Sequence, residues 1–152
     1  MLRNEGFSYI PPFRAALMSL GINYSVFHEM VSSAKESRDF DYIIVDADTV
    51  LDGYKTKLMD MADKVIIVTS QSGASVFSTN ILVSNISGAN SDKYIYICNN
   101  FCEDEENMLV SPDVISRFSV NDYIKHIPNC EKMKARDLAV ETEIQKISFL
   151  IT

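Results

Sequence analysis

Short runs of apolar residues rich in Ile, Val and Tyr recur along the chain: FSYI at 7–10, DYIIVD at 41–46, KVIIVTS at 64–70, KYIYIC at 93–98 and DYIKHI at 122–127. Runs of this length and β-branched content read as strands. The three middle runs are almost continuously apolar, the pattern of strands covered on both faces rather than the alternation of a half-exposed sheet. Helical periodicity falls between them. Val26, Phe27, Met30, Val31 and Ala34 form one stripe, and the segment 75–86 carries Val76, Ile81, Val83 and Ile86. Met133, Leu138, Ile144, Ile147 and Leu150 predict a long C-terminal helix. Ser111-Pro112-Asp113 reads as a helix start, with Ser111 as N-cap and Pro112 where its missing N–H costs nothing, and the helix is expected to reach about Phe118.

Strands alternating with helices predict an α/β fold with three layers and a mostly parallel sheet. No repeat, low-complexity tract or linker interrupts residues 1–152, so the expectation is a single domain. The 152 residues carry 47% hydrophobic and 23% charged side chains, enough apolar material for a packed core. Lys+Arg of 14 against Asp+Glu of 21 gives a formal charge of −7, which argues against nucleic acid and against an anionic membrane surface as partners. No apolar run approaches the roughly 18 residues needed to span a bilayer, and no signal-peptide pattern is visible. Cys98, Cys102 and Cys130 are an odd number, and Cys98-x-x-x-Cys102 has no second pair to complete a metal site. A reduced, cytoplasmic location is expected.

In open α/β sheets ligands bind outside the carboxyl ends of the strands, which directs attention to residues 46–53, 69–75, 99–107 and 128–130. Asp46 ends one strand run, and Asp48 and Asp52 follow. A carboxylate so placed either holds a hydrated magnesium ion or solvates a loop. Asn99 and Asn100 end another run; their amides suit the edge of a nucleobase or an ordinary loop turn. The acidic run Glu103–Glu106 reads as a solvated loop. The five glycines, Gly6, Gly21, Gly53, Gly73 and Gly88, form neither GxxxxGK[ST] nor GxGxxG, so no phosphate-cradling loop is present. Ser72-Gly73-Ala74-Ser75 opens a predicted helix but lacks the lysine that would meet a terminal phosphate.

Taken in order, GFSYIPPF at 6–13, FDYIIVDADTVLD at 40–52, MADKVIIVTSQSGAS at 61–75, YIYICNNF at 94–101 and YIKHIP at 123–128 resemble the later two-thirds of the MinD/ParA superfamily of deviant Walker ATPases. The resemblance is nearest to its Tad-pilus assembly (TadZ/CpaE-like) branch and covers most of the chain. It implies a P-loop NTPase-like fold truncated at the N-terminus, because the KGGxGKT-like loop of the family lies upstream of everything matched. It further implies Asp46 as the Walker B magnesium ligand, Asp48 to Asp52 as the nucleotide-sensing switch, Asn99 as the base-reading residue, and Pro128 at the start of the loop next to the base. Ala47-Asp48 stands where the family carries a proline after the Walker B Asp. The implied cofactor is Mg-ATP, held feebly or not at all by the isolated chain.

Two functions follow from the resemblance. One is a non-hydrolysing or nucleotide-assisted scaffold that localises a pilus or secretion machine, as a homo-dimer or as a partner subunit recruited to the inner face of the membrane. The other is the C-terminal portion of a Mg-ATP-dependent ATPase whose P-loop comes from upstream or from a partner. A receiver domain fits poorly, because Lys125 lies inside a strand run. Loss of a central strand would leave apolar sheet edge exposed to water, a surface that pairing with another chain would cover.

Overall fold

The computed structural model describes residues 2–4, 7–10, 25–127 and 137–151, and the chain divides into two compact units, Met1–Met61 and Ala62–Thr152. In the first unit, β1 (Leu2–Asn4) pairs antiparallel with β2 (Phe7–Tyr9), and α1 (Ser25–Ser37) and α2 (Gly53–Met61) follow. The predicted stripe on α1 is half-buried at Val26, Phe27, Met30, Val31 and Ala34. Lys35 Nζ donates to the Met61 carbonyl at 2.9 Å, tying α1 to the end of α2.

The second unit is built on a parallel sheet in the order β3 (Val65–Thr69), β4 (Tyr94–Phe101), β5 (Asp122–Lys125). Helix α3 (Gly73–Ser84) connects β3 to β4; a 3-10 turn (Met108–Val110) and the short α4 (Pro112–Ile115) connect β4 to β5; and α5 (Leu138–Ile151) closes the unit. The chain is therefore mixed α/β with a three-stranded parallel sheet, as the alternation of runs predicts. Val65 faces Tyr94 and Thr69 faces Cys98 in unbroken register. One face of the sheet carries Ile67, Tyr96 and Cys98 into a core completed by Val76, Val83, Leu109, Val114 and Phe118. Tyr96 stacks on Phe118 with ring centroids 4.7 Å apart and donates its hydroxyl to the Ala89 carbonyl at 2.9 Å. Burial, and then the neighbouring Tyr94, push the Tyr96 phenol up to about 12.

Three expectations change. The run DYIIVD forms no strand: residues 42–46 have no ladder partner among the described residues, and Tyr42 and Ile44 are 66% and 89% exposed. A strand exists only where a neighbour takes up its backbone N–H and C=O groups, so an apolar run alone does not make one. Helix α4 stops at Ile115 rather than Phe118, although Ser111 and Pro112 occupy the expected start. On α5 the less exposed positions are Val140, Glu143, Lys146, Ile147, Leu150 and Ile151, whereas Leu138 and Ile144 are exposed. Met133 lies outside the described residues.

Candidate functional site

At the carboxyl end of β3 the chain turns through Ser70, Gln71 and Ser72 into α3. Ser72 caps the helix, accepting from the Ser75 backbone N–H at 3.4 Å. The hydroxyls of this turn satisfy one another. Ser75 Oγ accepts from Ser70 N at 2.9 Å and lies 3.0 Å from Thr69 Oγ1, which also accepts from Thr79 Oγ1 at 2.9 Å. Gln71 is buried, which sequence reading did not anticipate. Its Nε2 donates to the carbonyls of Cys102 and Glu106 at 3.0 and 3.3 Å, and its Oε1 accepts from Cys102 N at 2.8 Å. One amide thereby holds the acidic loop 102–106 against the end of β3. The only sequence signal for it was a polar residue within an otherwise small-residue turn.

At the end of β4 the two asparagines behave differently. The pairing with β5 shifts register between Cys98 and Phe101, and Asn100 sits there at φ 60. This is a β-bulge with a residue in the left-handed region, which Asn tolerates better than most side chains. Asn100 Oδ1 is in hydrogen-bond contact with His126 Nδ1, which belongs to the segment just after β5. Asn99 is exposed, and its amide makes no hydrogen bond among the described residues. Beside them Lys125 Nζ pairs with Glu103 Oε1 at 2.7 Å; hydrogen bonding and charge attraction hold the Glu103 carboxyl below its ordinary value and raise Lys125. Pro128 lies outside the described residues.

Helix α5 fastens the far side of β5. Glu143 Oε2 accepts from Lys125 N at 3.0 Å, Lys146 Nζ donates to the Tyr123 carbonyl at 2.9 Å, and the two side chains pair at 2.6 Å. Burial alone would raise the Glu143 carboxyl, but hydrogen bonds from Lys146 and from the Lys125 backbone, together with both lysine charges, bring it below the ordinary range.

In the first unit the acidic loop is organised around Lys55, whose ammonium meets Asp48 Oδ1 and the Val50 carbonyl and lies 3.8 Å from Asp52. The hydrogen bond from Lys55, then that from Val50 N, draw the Asp48 carboxyl down. Asp52 accepts from the N–H groups of Tyr54 and Lys55, both at 2.9 Å, in the manner of an N-cap of α2. Asp46 is exposed, with no hydrogen bond or ion pair among the described residues. A magnesium ion takes about six oxygen ligands. Asp46 offers one free carboxylate and Asp48 is neutralised by Lys55, and no three His, Cys, Asp or Glu side chains converge on a metal position among the described residues. The residues described do not by themselves complete such a site.

Cys98 is buried, which raises its thiol, and Cys102 is half-buried; both are free thiols. Two open grooves lie at the amino ends of the strands, one around Asn90 and Arg117 and one around Lys64, Tyr94 and Asn121, and neither is lined by Asn99 or Asn100. No helix among the described residues is long and apolar enough to cross a membrane. The chain matches no family model, and no curated protein matches it.

Proposed function

We propose that this chain is a non-hydrolysing scaffold or localisation module of the Tad-pilus assembly type, working through surfaces of its sheet rather than through chemistry on a nucleotide. The observation that carries this reading is the apolar side of β3 exposed among the described residues, where Ile66 and Val68 are 40% and 60% exposed in a strand whose composition is that of a sheet interior. Two of the residues singled out for nucleotide, Asp48 by the resemblance and Asn100 by its place at a strand end, are also engaged with neighbours in the chain itself: Asp48 by Lys55, and Asn100 by His126. In this reading the three-layer, P-loop NTPase-like architecture is inherited without its phosphate loop, and the protein acts in the cytoplasm as a homo-dimer or as a subunit drawn to the membrane by its machine.

A second reading has its own support. Asp46 and Asn99 are both exposed and unpaired among the described residues, as side chains that await Mg-ATP would be. A P-loop supplied from upstream or by another subunit would then complete an ATPase. Calorimetric titration with Mg-ATP and Mg-ADP, with phosphate release measured on the same samples, separates the two. The scaffold reading expects no hydrolysis and no loss of affinity in Asp46→Ala. Hydrolysis or nucleotide binding abolished by Asp46→Ala overturns it in favour of the second.

A further inference from the structure

The two edges of the parallel sheet are treated in opposite ways. The β5 edge is guarded: Glu143 and Lys146 of α5 bond directly to the backbone of Lys125 and Tyr123. The β3 edge carries none of the devices that blunt an exposed strand. It has no lysine, proline or bulge between Val65 and Thr69, and its ladder with β4 is regular. Val65 N donates to the Lys93 carbonyl, toward β4. By the alternation of a strand, the N–H and C=O groups of Val65, Ile67 and Thr69 point to β4, and those of Ile66 and Val68 point outward. Ile66 and Val68 also place their side chains on the exposed sheet face.

We propose that the β3 edge binds the β3 edge of a second copy of this chain, antiparallel and centred on Ile67, joining two three-stranded sheets into one. This inference rests on the scaffold reading and names its partner. The strand Val65-Ile66-Ile67-Val68-Thr69 is self-complementary in the sense a two-fold contact demands. Centred on Ile67, Ile66 meets Val68 of the second copy as a hydrogen-bonded pair, and the symmetric repeat of that pair uses every outward N–H and C=O of both strands. Val65 meets Thr69, and Ile67 meets itself. Every cross-strand pair is thus β-branched on β-branched, which suits a pleated surface. Charge fits as well. The flanking Asp63 and Lys64 fall opposite Gln71 and Ser70 of the second copy, so no like charges oppose one another along the joint. Any other two-fold register leaves at least one residue of β3 unpaired with β3. The formal charge of −7 on each copy opposes association at long range, so added salt strengthens the dimer.

The test is sedimentation equilibrium of the whole chain from about 5 to 300 µM, on wild type, Val68→Lys and Phe77→Lys, with circular dichroism melts of each. Wild type is expected to dimerise, more tightly at higher salt. Val68→Lys is expected to weaken the dimer by about tenfold, because it replaces the two symmetric β-branched pairs with Ile66 and brings two like charges together beside the joint. Phe77→Lys, an exposed change on α3, is expected to leave it intact. Register is read separately by oxidising a mixture of Ile66→Cys and Val68→Cys chains in a Cys102→Ser, Cys130→Ser background, where the hydrogen-bonded pair lies within disulfide reach. A disulfide-linked heterodimer, absent from either chain alone, is the expected product, and this readout stands even if Val68→Lys fails to fold. A wild type that stays monomeric throughout the range, a folded Val68→Lys that dimerises as wild type, or cross-linking equally efficient within each single variant overturns the proposal. Monomer without hydrolysis overturns the β3 pairing and leaves the scaffold reading to another polypeptide; hydrolysis by wild type overturns the scaffold reading whatever the oligomeric state.

Discussion

Gln71 offers the sharpest test of how the acidic loop is held. The side chain is 3% exposed, and its amide makes three hydrogen bonds to the 102–106 loop, two as donor and one as acceptor. Replacing it with Met keeps the length and removes all three. At about 1 kcal/mol for each bond, the expected loss is about 3 kcal/mol. For a unit of this size that corresponds to a fall in melting midpoint of more than about 10 °C. Gln71→Glu is the more discriminating variant. A carboxylate at this place still accepts from Cys102 N, but it faces two carbonyl oxygens and lies close to an acidic run of four residues, Glu103 to Glu106. Its folded-state pKa is therefore raised above the unfolded value of about 4.3, and the protonated form is the one that can donate. With the raised folded value, the variant binds more protons folded than unfolded across that window. Its stability relative to wild type is poorest at neutral pH and recovers as pH falls toward the unfolded value. Urea titrations at a series of pH values, with amide exchange at Cys102 as the local probe, measure both effects. A loss under about 0.5 kcal/mol for Gln71→Met, or a Gln71→Glu variant whose deficit does not shrink on acidification, would refute the reasoning.

Two further outcomes follow from the same unit. Asn100 holds the β4 bulge at φ 60, so Asn100→Val is expected to destabilise by about 1–2 kcal/mol, whereas Asn100→Gly frees the backbone and loses only the His126 contact; denaturant unfolding of both variants checks the order. Glu143 has its carboxyl held below the ordinary value, so its contribution is complete above about pH 4.3 and fades as pH drops toward the lower folded value; Glu143→Gln is expected to cost about 1 kcal/mol at neutral pH and to flatten the acid limb of the stability profile, which thermal melts between neutral and acid pH would show.

The strands β3, β4 and β5 were legible because each is an apolar run that finds a parallel neighbour, and Ser72 and Ser111 mark the starts of α3 and α4 where small polar residues precede a periodic segment. DYIIVD was not legible, because its composition matches that of β3 while its fate depends on a partner strand, which no local pattern encodes. On α5 the apolar stripe misled, since the charged Glu143 and Lys146 face the sheet to bind its backbone and Leu138 and Ile144 do not. Of the candidate site, the sequence showed which polar residues end the strands. It did not show that Asn100 would supply a bulge or that Lys55 would claim Asp48, because both depend on side chains brought together from different turns of the chain. Gln71 escaped notice for the same reason: its three partners lie 31 to 35 residues further along.

The fastening of α5 over β5 bears on how large an assembly this sheet can form. A sheet open at both edges is a monomer in the polymer chemist's sense: each addition exposes a fresh edge, and growth runs on into a fibre. Glu143 and Lys146 occupy the Lys125 N–H and the Tyr123 C=O at one end and so act as a chain stopper. Whatever docks at β3, the joined sheet presents only guarded edges afterwards when the newcomer is a second copy, and assembly halts at two. If two copies join at β3, cutting that clasp gives the pair a fresh edge at each end, and growth no longer halts at two.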